Sequence, residues 1–382
     1  AEASEEKLSI SYTQSKFVSH IRGLGRVTDI LNQLAPENIS EFELINVNAG
    51  MPLLKAEVDR DSFERHKNDN LYTLAMRDIK LSAAKSNETI SHEYQPVSYY
   101  PKFFWGLTPA IRSQIGGPDG FFLGDLRLQA YSETLFKNNI NLIASASVGL
   151  VSSLNELKIT SDSVIPHVRT DIVDYLQQSE EFNIDRFQFN IFNSHSSNLY
   201  SKISFGLLEE MFGGYGGEFI YRPFEKNYAI GAELWHVKQR DYDMLFSFRD
   251  YETVTGHINF NYHHPTSNVL LSIRGGKFLA KDSGLSFDFS RVFKTGLRIG
   301  AFFSRTDISK LEFGEGSFDK GFYFYIPIEM FYGKHSKRYA GWGLRPLTRD
   351  GASFLNHAYF LWGVTEQGQA ISHERNWDDL YD

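Results

Sequence analysis

The amino-acid sequence predicts a mainly β protein whose strands are typical of a transmembrane antiparallel β-barrel. From residue 97 to residue 364, apolar and polar residues alternate in many runs, which gives each strand one apolar and one polar face. The better runs approach about 9–11 residues, the length that a tilted strand needs to cross a bilayer. Aromatic residues make up 15% of the chain, and they gather at strand ends, as in the girdles of membrane barrels. We count about 12 to 14 such strands, within the range of bacterial barrels.

Charged residues in the middle of several strands also favour a barrel. The polar faces carry Arg127, Glu233, Arg274, Asp288 and Arg298, and a solvated lumen accommodates such charges readily. A soluble β-sandwich also explains alternation, because one face of each strand is buried and the other is wet. The pattern alone therefore leaves both architectures open.

The other segments differ in character. Residues 1–67 predict a small α+β domain, in which apolar residues recur at helical spacing from Lys16 to Leu34 between short alternating strands. An ordinary helix-on-sheet fold without chemistry explains this domain. Residues 68–96 predict an extended linker, residues 97–364 contain the barrel strands, and residues 365–382 form an acidic C-terminal tail.

Composition and motifs argue against several function classes. The chain contains no cysteine, so it has no disulfide, zinc–thiolate site or cysteine nucleophile. Its net charge of −8 argues against nucleic-acid binding through phosphate neutralisation. The Gly314–Ser317 segment is better explained as a turn than as a nucleophile elbow. The adjacent His263 and His264 lie on opposite strand faces, which is poor metal-binding geometry. We therefore predict no enzyme, no metal and no cofactor.

A glycine-rich central stretch, residues 212–257, carries a resemblance to a known family. It begins Phe-Gly-Gly-Tyr-Gly-Gly-Glu-Phe at Phe212, where glycines suit strands that bend or approach closely. Together with further segments that match in order, it resembles the YjbH/GfcD family of outer-membrane proteins encoded with bacterial capsule and exopolysaccharide export systems. Those segments are Gly117–Phe121, Ser163–Arg169, Glu312–Gly321 and Arg345–Gly351.

The resemblance implies a location and a partner. Family members are roughly twice as long, and this chain resembles their second half, so its strands are expected to form half of a larger composite barrel or to close on themselves. Unpaired strand edges are forbidden in lipid. An N-terminal half or a second chain is therefore expected to complete the barrel. The expected location is the bacterial outer membrane, with the N-terminal region in the periplasm.

The role that the resemblance implies is export or secretion of a capsular or exopolysaccharide, with the chain as a passive conduit. The expected partners are the polysaccharide, the lipid bilayer, and periplasmic proteins or lipoproteins of the export system. The candidate polysaccharide contacts, all on the polar faces of their strands, are Arg127, Glu233, Trp235, Arg274, Asp288 and Arg298.

Some alternatives stay open at this point. The segment with Ser163, Pro166 and Arg169 is too long and polar for a turn, and it either folds inward and narrows the lumen or forms an ordinary surface loop. The protein is alternatively an outer-membrane enzyme that modifies polysaccharide through Glu233 and Asp288, or a soluble carbohydrate-binding module. The acidic tail could enter the lumen, pack on the small domain or contact a partner.

Overall fold

Two β-sheets organise the chain, one of five strands and one of 13. The computed structural model describes all residues except 70, 87–92, 95, 96, 98, 118, 119, 159–162, 310, 311, 313–317 and 346–349, with backbone alone for residues 114–117. The Gly314–Ser317 segment and parts of the predicted linker thus lie outside the described residues. None of the described helices is both long and apolar enough to cross a membrane.

The small sheet and its helices share one hydrophobic core. Strands β2 and β3 run parallel, and the other neighbours run antiparallel. Helix α1 begins where the Ser19 side chain accepts a hydrogen bond from the Arg22 N–H, and it ends before Pro36. The elements in sheet order are β1 (Glu2–Ala3), β2 (Lys7–Tyr12), β3 (Glu41–Asn48), β4 (Met51–Asp59) and β5 (Lys80–Ala83), with helices α1 (His20–Leu34), α2 (Arg60–Asn68) and α3 (Tyr72–Asp78).

The structure differs from an extended linker over residues 68–96. This stretch contains α3 and β5, and β5 pairs with β4, where Leu54 lies opposite Ala83. Ala75 and Ile79 are buried in the core of the small sheet. The seven-residue α3 completes only about two turns. Its apolar positions are therefore too few to give a clear periodicity in the sequence.

The large sheet is an antiparallel meander in which each strand pairs with its neighbours in sequence. The prediction of a mainly β protein is confirmed, but a closed barrel is not observed. Among the described residues, β6 and β18 each pair with one strand only. The strands are β6 (Lys102–Gly117), β7 (Gly120–Lys137), β8 (Ile140–Ser152), β9 (Phe182–Ser196), β10 (Leu199–Leu207), β11 (Phe212–Tyr221), β12 (Tyr228–Arg240), β13 (Phe248–His264), β14 (Val269–Lys277), β15 (Ser283–Val292), β16 (Arg298–Thr306), β17 (Asp319–Pro327) and β18 (Tyr339–Leu344).

The two faces of the large sheet differ in polarity. One face, here called the covered face, carries Lys202 and Ser204, which are fully buried beneath other parts of the chain. The opposite face, here called the bare face, carries large apolar side chains that nothing in the described structure covers. Ile203, Leu234 and Ile258 on this face are 52%, 64% and 68% exposed. The sheet therefore buries its polar residues and exposes its apolar residues, the reverse of a soluble β-sandwich.

Two segments lie across the covered face. The first contains helix α4 (Ile172–Gln178), and Val168 and Tyr175 of this segment pack with Trp235 and Val237 of β12. The second is residues 350–362, here called the crossing segment. Its Leu355 joins the same apolar cluster.

The chain after the crossing segment returns to the small domain. Trp377 and Leu380 are buried in the core of that domain, and the Trp377 indole N–H donates to the Tyr72 carbonyl oxygen at 3.1 Å. The acidic tail thus packs on the small domain, one of the three arrangements left open above. The helices here are α5 (Leu361–Val364) and α6 (Ile371–Glu374), and 3₁₀ turns occupy Leu154–Glu156, Ile328–Met330, Glu366–Gly368 and Trp377–Tyr381.

Replacing Gly25 with alanine should loosen the tail. A β-carbon at Gly25 would collide with the carbonyl oxygen of Leu380, whereas one at Gly363 would meet open space. Overpacking of this kind typically costs about 1–3 kcal/mol. We expect Gly25→Ala to accelerate tryptic cleavage after Arg375, because this bond lies in the displaced tail. Equal cleavage rates in Gly25→Ala and the control Gly363→Ala would contradict this packing.

Candidate functional site

A row of charged side chains crosses the middle of the covered face. Strand register places Lys202 of β10 opposite Glu218 of β11, Glu218 opposite Glu233 of β12, and Glu233 opposite His257 of β13. Lys202 Nζ lies 2.9 Å from Glu218 Oε1, and His257 Nδ1 lies 3.0 Å from Glu233 Oε1. Directly opposed residues of neighbouring strands share a face. Strand pairing alone therefore aligns four ionisable groups.

His357 of the crossing segment completes this charged cluster. Its Nε2 lies 2.9 Å from Glu218 Oε1 and 3.5 Å from Glu233 Oε2. Its ring stacks on the indole of Trp235, with ring centroids 4.3 Å apart. Lys202 Nζ also donates to the carbonyl oxygens of residues 358 and 359, at 3.0 and 2.9 Å. The cluster therefore attaches the crossing segment to the sheet.

The charged cluster is buried, and its opposite charges lie within ion-pair distance of one another. Glu218 Oε2 accepts a hydrogen bond from the Leu361 N–H at 2.6 Å, and Glu233 Oε2 accepts one from the Trp235 indole at 3.2 Å. Burial lowers the pKa of His357, but the charge of Glu218 and the contact with Glu233 outweigh it, so the net pKa is raised. Buried charges persist only when they are paired in this way.

A second set of contacts fixes the N-terminal part of the crossing segment. The carboxylate oxygen Oδ1 of Asp350 accepts hydrogen bonds from the backbone N–H groups of residues 168, 169 and 170, at 2.8, 2.7 and 3.0 Å. The guanidinium of Arg169 binds both carboxylate oxygens of Glu209, at 2.8 and 3.1 Å, and donates to the Phe354 carbonyl oxygen at 2.7 Å. Arg169 therefore links the two segments that lie across the covered face.

The segment with Ser163 and Pro166 is held at its base by a polar network. His167 donates from Nδ1 to Asp171 at 2.7 Å and from Nε2 to the Ser163 carbonyl oxygen at 3.0 Å. Asp171 also accepts from the Tyr242 hydroxyl at 2.8 Å and from Arg249 at 3.0 Å. Burial lowers the pKa of His167, but the hydrogen bonds to the Ser163 carbonyl oxygen and to Asp171 outweigh that effect, so the pKa is raised overall. The network orders this segment against the covered face.

Arg127 lies apart from the charged cluster. Its side chain is 1% exposed and forms an ion pair with Asp125 at 2.6 Å. It also donates to the carbonyl oxygens of Ser147 and Glu180, at 3.3 and 2.8 Å. This geometry supports a role in joining β7 to its neighbours, because the guanidinium has almost no free surface.

Two cavities flank the crossing segment. The first, of about 630 Å³, is lined by charged residues that include Arg169, Arg186 and Glu209. The second, of about 450 Å³, brings together four of the sequence-predicted residues: Glu233, Arg274, Asp288 and Arg298. Trp235, another of the sequence-predicted residues, is instead buried beneath His357, with 1% of its surface exposed.

A family model and a curated protein match this chain over most of its length. The sequence model of the family YjbH, described as "Exopolysaccharide biosynthesis protein YbjH", matches residues 1–367. The chain belongs to the YjbH family. It is also 28% identical over 380 residues to "Uncharacterized lipoprotein YjbH" of Escherichia coli (strain K12), an alignment that covers 95% of this chain and 53% of that protein. The chain thus spans about half the length of this family member, and the resemblance found in the sequence is confirmed.

The sequence alone did not predict most of the charged cluster of this chain. Lys202, Glu218 and His257 each lie on the polar side of an alternating strand, which is the one signal that the sequence offers. Their proximity depends on strand register, and register cannot be read from a single strand. His357 lies outside any strand or helix, so no periodicity marks it.

The cluster contains side chains of the types that bind metal ions, but a positively charged lysine lies beside them. Glu218, Glu233 and His357 offer ligand atoms within 4.8 Å of one another. The ammonium of Lys202 lies 2.9 Å from Glu218 Oε1 and 3.0 Å from His357 Nδ1, where it would repel a metal cation. These residues therefore fit an internal salt cluster better than a metal centre.

Removing Lys202 should destabilise the protein strongly. Lys202→Met leaves the Glu218 and Glu233 carboxylates facing one fewer cation in a buried site. Breaking a buried ion pair in this way costs about 3–5 kcal/mol. We expect denaturant unfolding of the purified chain, followed by tryptophan fluorescence, to show this loss.

Two further variants serve as controls. The exposed Lys277→Met should change the free energy of unfolding little, and the double variant Lys202→Met/Glu218→Gln should recover much of the loss because it restores charge balance. If Lys202→Met were as stable as Lys277→Met, the cluster would not hold the structure together.

Proposed function

We propose that this chain forms part of the wall of a bacterial outer-membrane β-structure and takes part in the export or secretion of a capsular or exopolysaccharide as a passive, porin-like conduit. The observation that carries the proposal is the polarity of the large sheet. Its bare face presents Ile203, Leu234 and Ile258 without cover, and its covered face buries Lys202, Glu218 and Glu233.

The bare face fits lipid better than water. Contiguous exposed apolar surfaces are rare on soluble monomers, and they mark contacts with membranes or partners. Lipid-facing strands of membrane barrels alternate an outward apolar residue with an inward polar residue. A soluble carbohydrate-binding module would place its apolar face inside, so the sidedness favours the membrane.

The strand count favours completion by another polypeptide. In an antiparallel meander every second strand runs the same way, so β6 and β18, the first and last of the 13 strands, run parallel to each other. Closing the sheet directly would require one parallel pair in an otherwise antiparallel sheet. A partner with an odd number of strands gives antiparallel pairing at both edges and an even total. We propose an N-terminal half or a second chain as this partner.

The location and remaining partners follow from the same proposal. The Escherichia coli relative is named as a lipoprotein, which favours the cell envelope. We place the sheet in the outer membrane, and the small domain, residues 1–84, in the periplasm with other proteins of the export system. The polysaccharide would make weak contacts with the polar residues beside the crossing segment.

A passive role is favoured over catalysis at the carboxylates. Glu233 and Asp288 line the same cavity, as an enzyme that modifies polysaccharide would need. Both oxygens of Glu233, however, contact His257, His357 and Trp235. Asp288 accepts a hydrogen bond from the Tyr323 hydroxyl at 2.8 Å. These contacts favour a structural role for Glu233 over a catalytic one.

Heat-modifiability on a gel tests the proposed membrane wall. We expect the chain, refolded into lipid vesicles, to shift its mobility and resist protease only when the N-terminal half of a full-length relative is added. This outcome follows because the partner pairs both open edges. A shift by the chain alone would contradict the need for a partner. A chain that stays soluble without detergent and shows no shift with either preparation would contradict the membrane location.

A further inference from the structure

The second cavity, beside the crossing segment, has the composition of a binding site for an acidic sugar. It lies between strands β11–β17 and the crossing segment, and its volume of about 450 Å³ is within the roughly 300–1,000 Å³ of small-ligand pockets. We propose that this cavity binds an acidic sugar unit of the polysaccharide through its carboxylate, with Arg274 as the principal contact. This inference rests on the proposed function and deepens it by naming the chemical class of the polymer.

Arg274 is the cation whose bonding capacity remains available. It packs over the ring of Phe354, with the guanidinium carbon 5.0 Å from the ring centroid. Within the described part of the chain it makes no hydrogen bond and no close ion pair. Stacking on Phe354 holds the guanidinium plane and leaves its N–H groups for a ligand. A planar guanidinium matches a carboxylate with two parallel hydrogen bonds.

Three carboxylates and two arginines line the cavity, and the ion pairs among them and their neighbours leave one arginine without a close partner. Arg298 supplies a second cation, hydrogen-bonded to Ser290 at 3.0 Å, and its ion pair with Asp288 is long, at 3.8 Å. Asp288 is held instead by the Tyr323 hydroxyl. The other carboxylates of the cavity, Glu218 and Glu233, are matched by Lys202 and His357. Arg274 therefore leaves a positive charge without a close partner.

Neighbouring groups suit the hydroxyls and apolar faces of a sugar. Asn259 lies directly opposite Arg274 on β13, and its side-chain oxygen has no hydrogen-bond partner among the described residues. Trp362 borders the cavity, and Arg222 fixes its ring from one side, 3.8 Å from the ring centroid. An acceptor for hydroxyls next to an aromatic ring is what a pyranose needs, and a bare anion needs neither. This combination distinguishes an acidic sugar from a free phosphate.

Binding of a short acidic oligosaccharide tests the inference. The full chain in detergent would be titrated in a calorimeter with trigalacturonate, with the trimethyl ester of the same trisaccharide, and with inorganic phosphate. We expect the acid to bind at least about tenfold more tightly than the ester, because the ester removes the charge-assisted hydrogen bonds. Inorganic phosphate should compete only weakly. Equal binding of acid and ester, no binding of either, or complete displacement by phosphate would overturn the inference.

Variants locate the binding site. Arg274→Gln should weaken trigalacturonate binding at least about tenfold. Arg274→Lys should recover part of the affinity, because lysine restores the charge but cannot donate two parallel hydrogen bonds to a carboxylate. Arg298→Gln gives a second test on a different strand. Arg305→Gln, on the exposed side of β16 outside the cavity, is the matched control. Near-ultraviolet circular dichroism confirms the fold of each variant. If Arg274→Gln bound as well as Arg305→Gln, the site would be elsewhere.

The inference and the proposed function fail separately. Binding is measured in detergent and needs neither a bilayer nor a partner. If the chain completes a membrane wall but binds the neutral ester equally well, the conduit is supported and the acidic-sugar site is contradicted. If the chain binds the acid but does not enter lipid, the site is supported and the conduit is contradicted.

Discussion

The charged cluster of Lys202, Glu218, Glu233, His257 and His357 holds the crossing segment against the large sheet. Four of its members lie in one row across β10, β11, β12 and β13, so strand register brings them together on one face of the sheet. Charges in such a position need partners that exclude water and balance charge. The crossing segment supplies them through His357 and its backbone carbonyls. The polar face of the sheet is therefore covered by the chain itself.

This arrangement also couples the two sheets. The crossing segment leaves the charged cluster, passes Trp362 and continues into the turns that place Trp377 and Leu380 in the core of the small domain. One stretch of chain thus fastens the small domain to the covered face. In the proposed conduit, polysaccharide would pass beside this stretch, through the space that the two flanking cavities provide, while the cluster keeps the stretch in place.

The sequence was most informative about strand faces and least informative about which residues meet. A period of two along a strand shows which side chains share a face, so Arg274, Asp288 and Arg298 could each be assigned to the polar face of its strand, and the structure brings them to one cavity. Lys202 and Glu218 have the same signal, but their contact depends on the offset between strands, which involves residues distant in sequence. The burial of Arg127 by Ser147 and Glu180 was hidden for the same reason. His357 and the short α3 lack a periodic pattern, so their positions become clear only from the packing of the folded chain.

Spin-label accessibility along β13 tests the orientation of the large sheet most directly. The chain has no cysteine, so single cysteines introduced from position 254 to position 262 each carry one nitroxide. In lipid vesicles, with the partner half present, we expect oxygen to reach labels at Val254, Ile258, Phe260 and Tyr262. A water-soluble nickel complex should reach the label at Asn259, which borders the second cavity, and neither reagent should reach labels at the buried Thr255, His257 and Asn261. This alternation follows from a bare face in lipid and a polar face that the chain itself covers. Nickel access at the first four positions, or no alternation, would contradict this orientation.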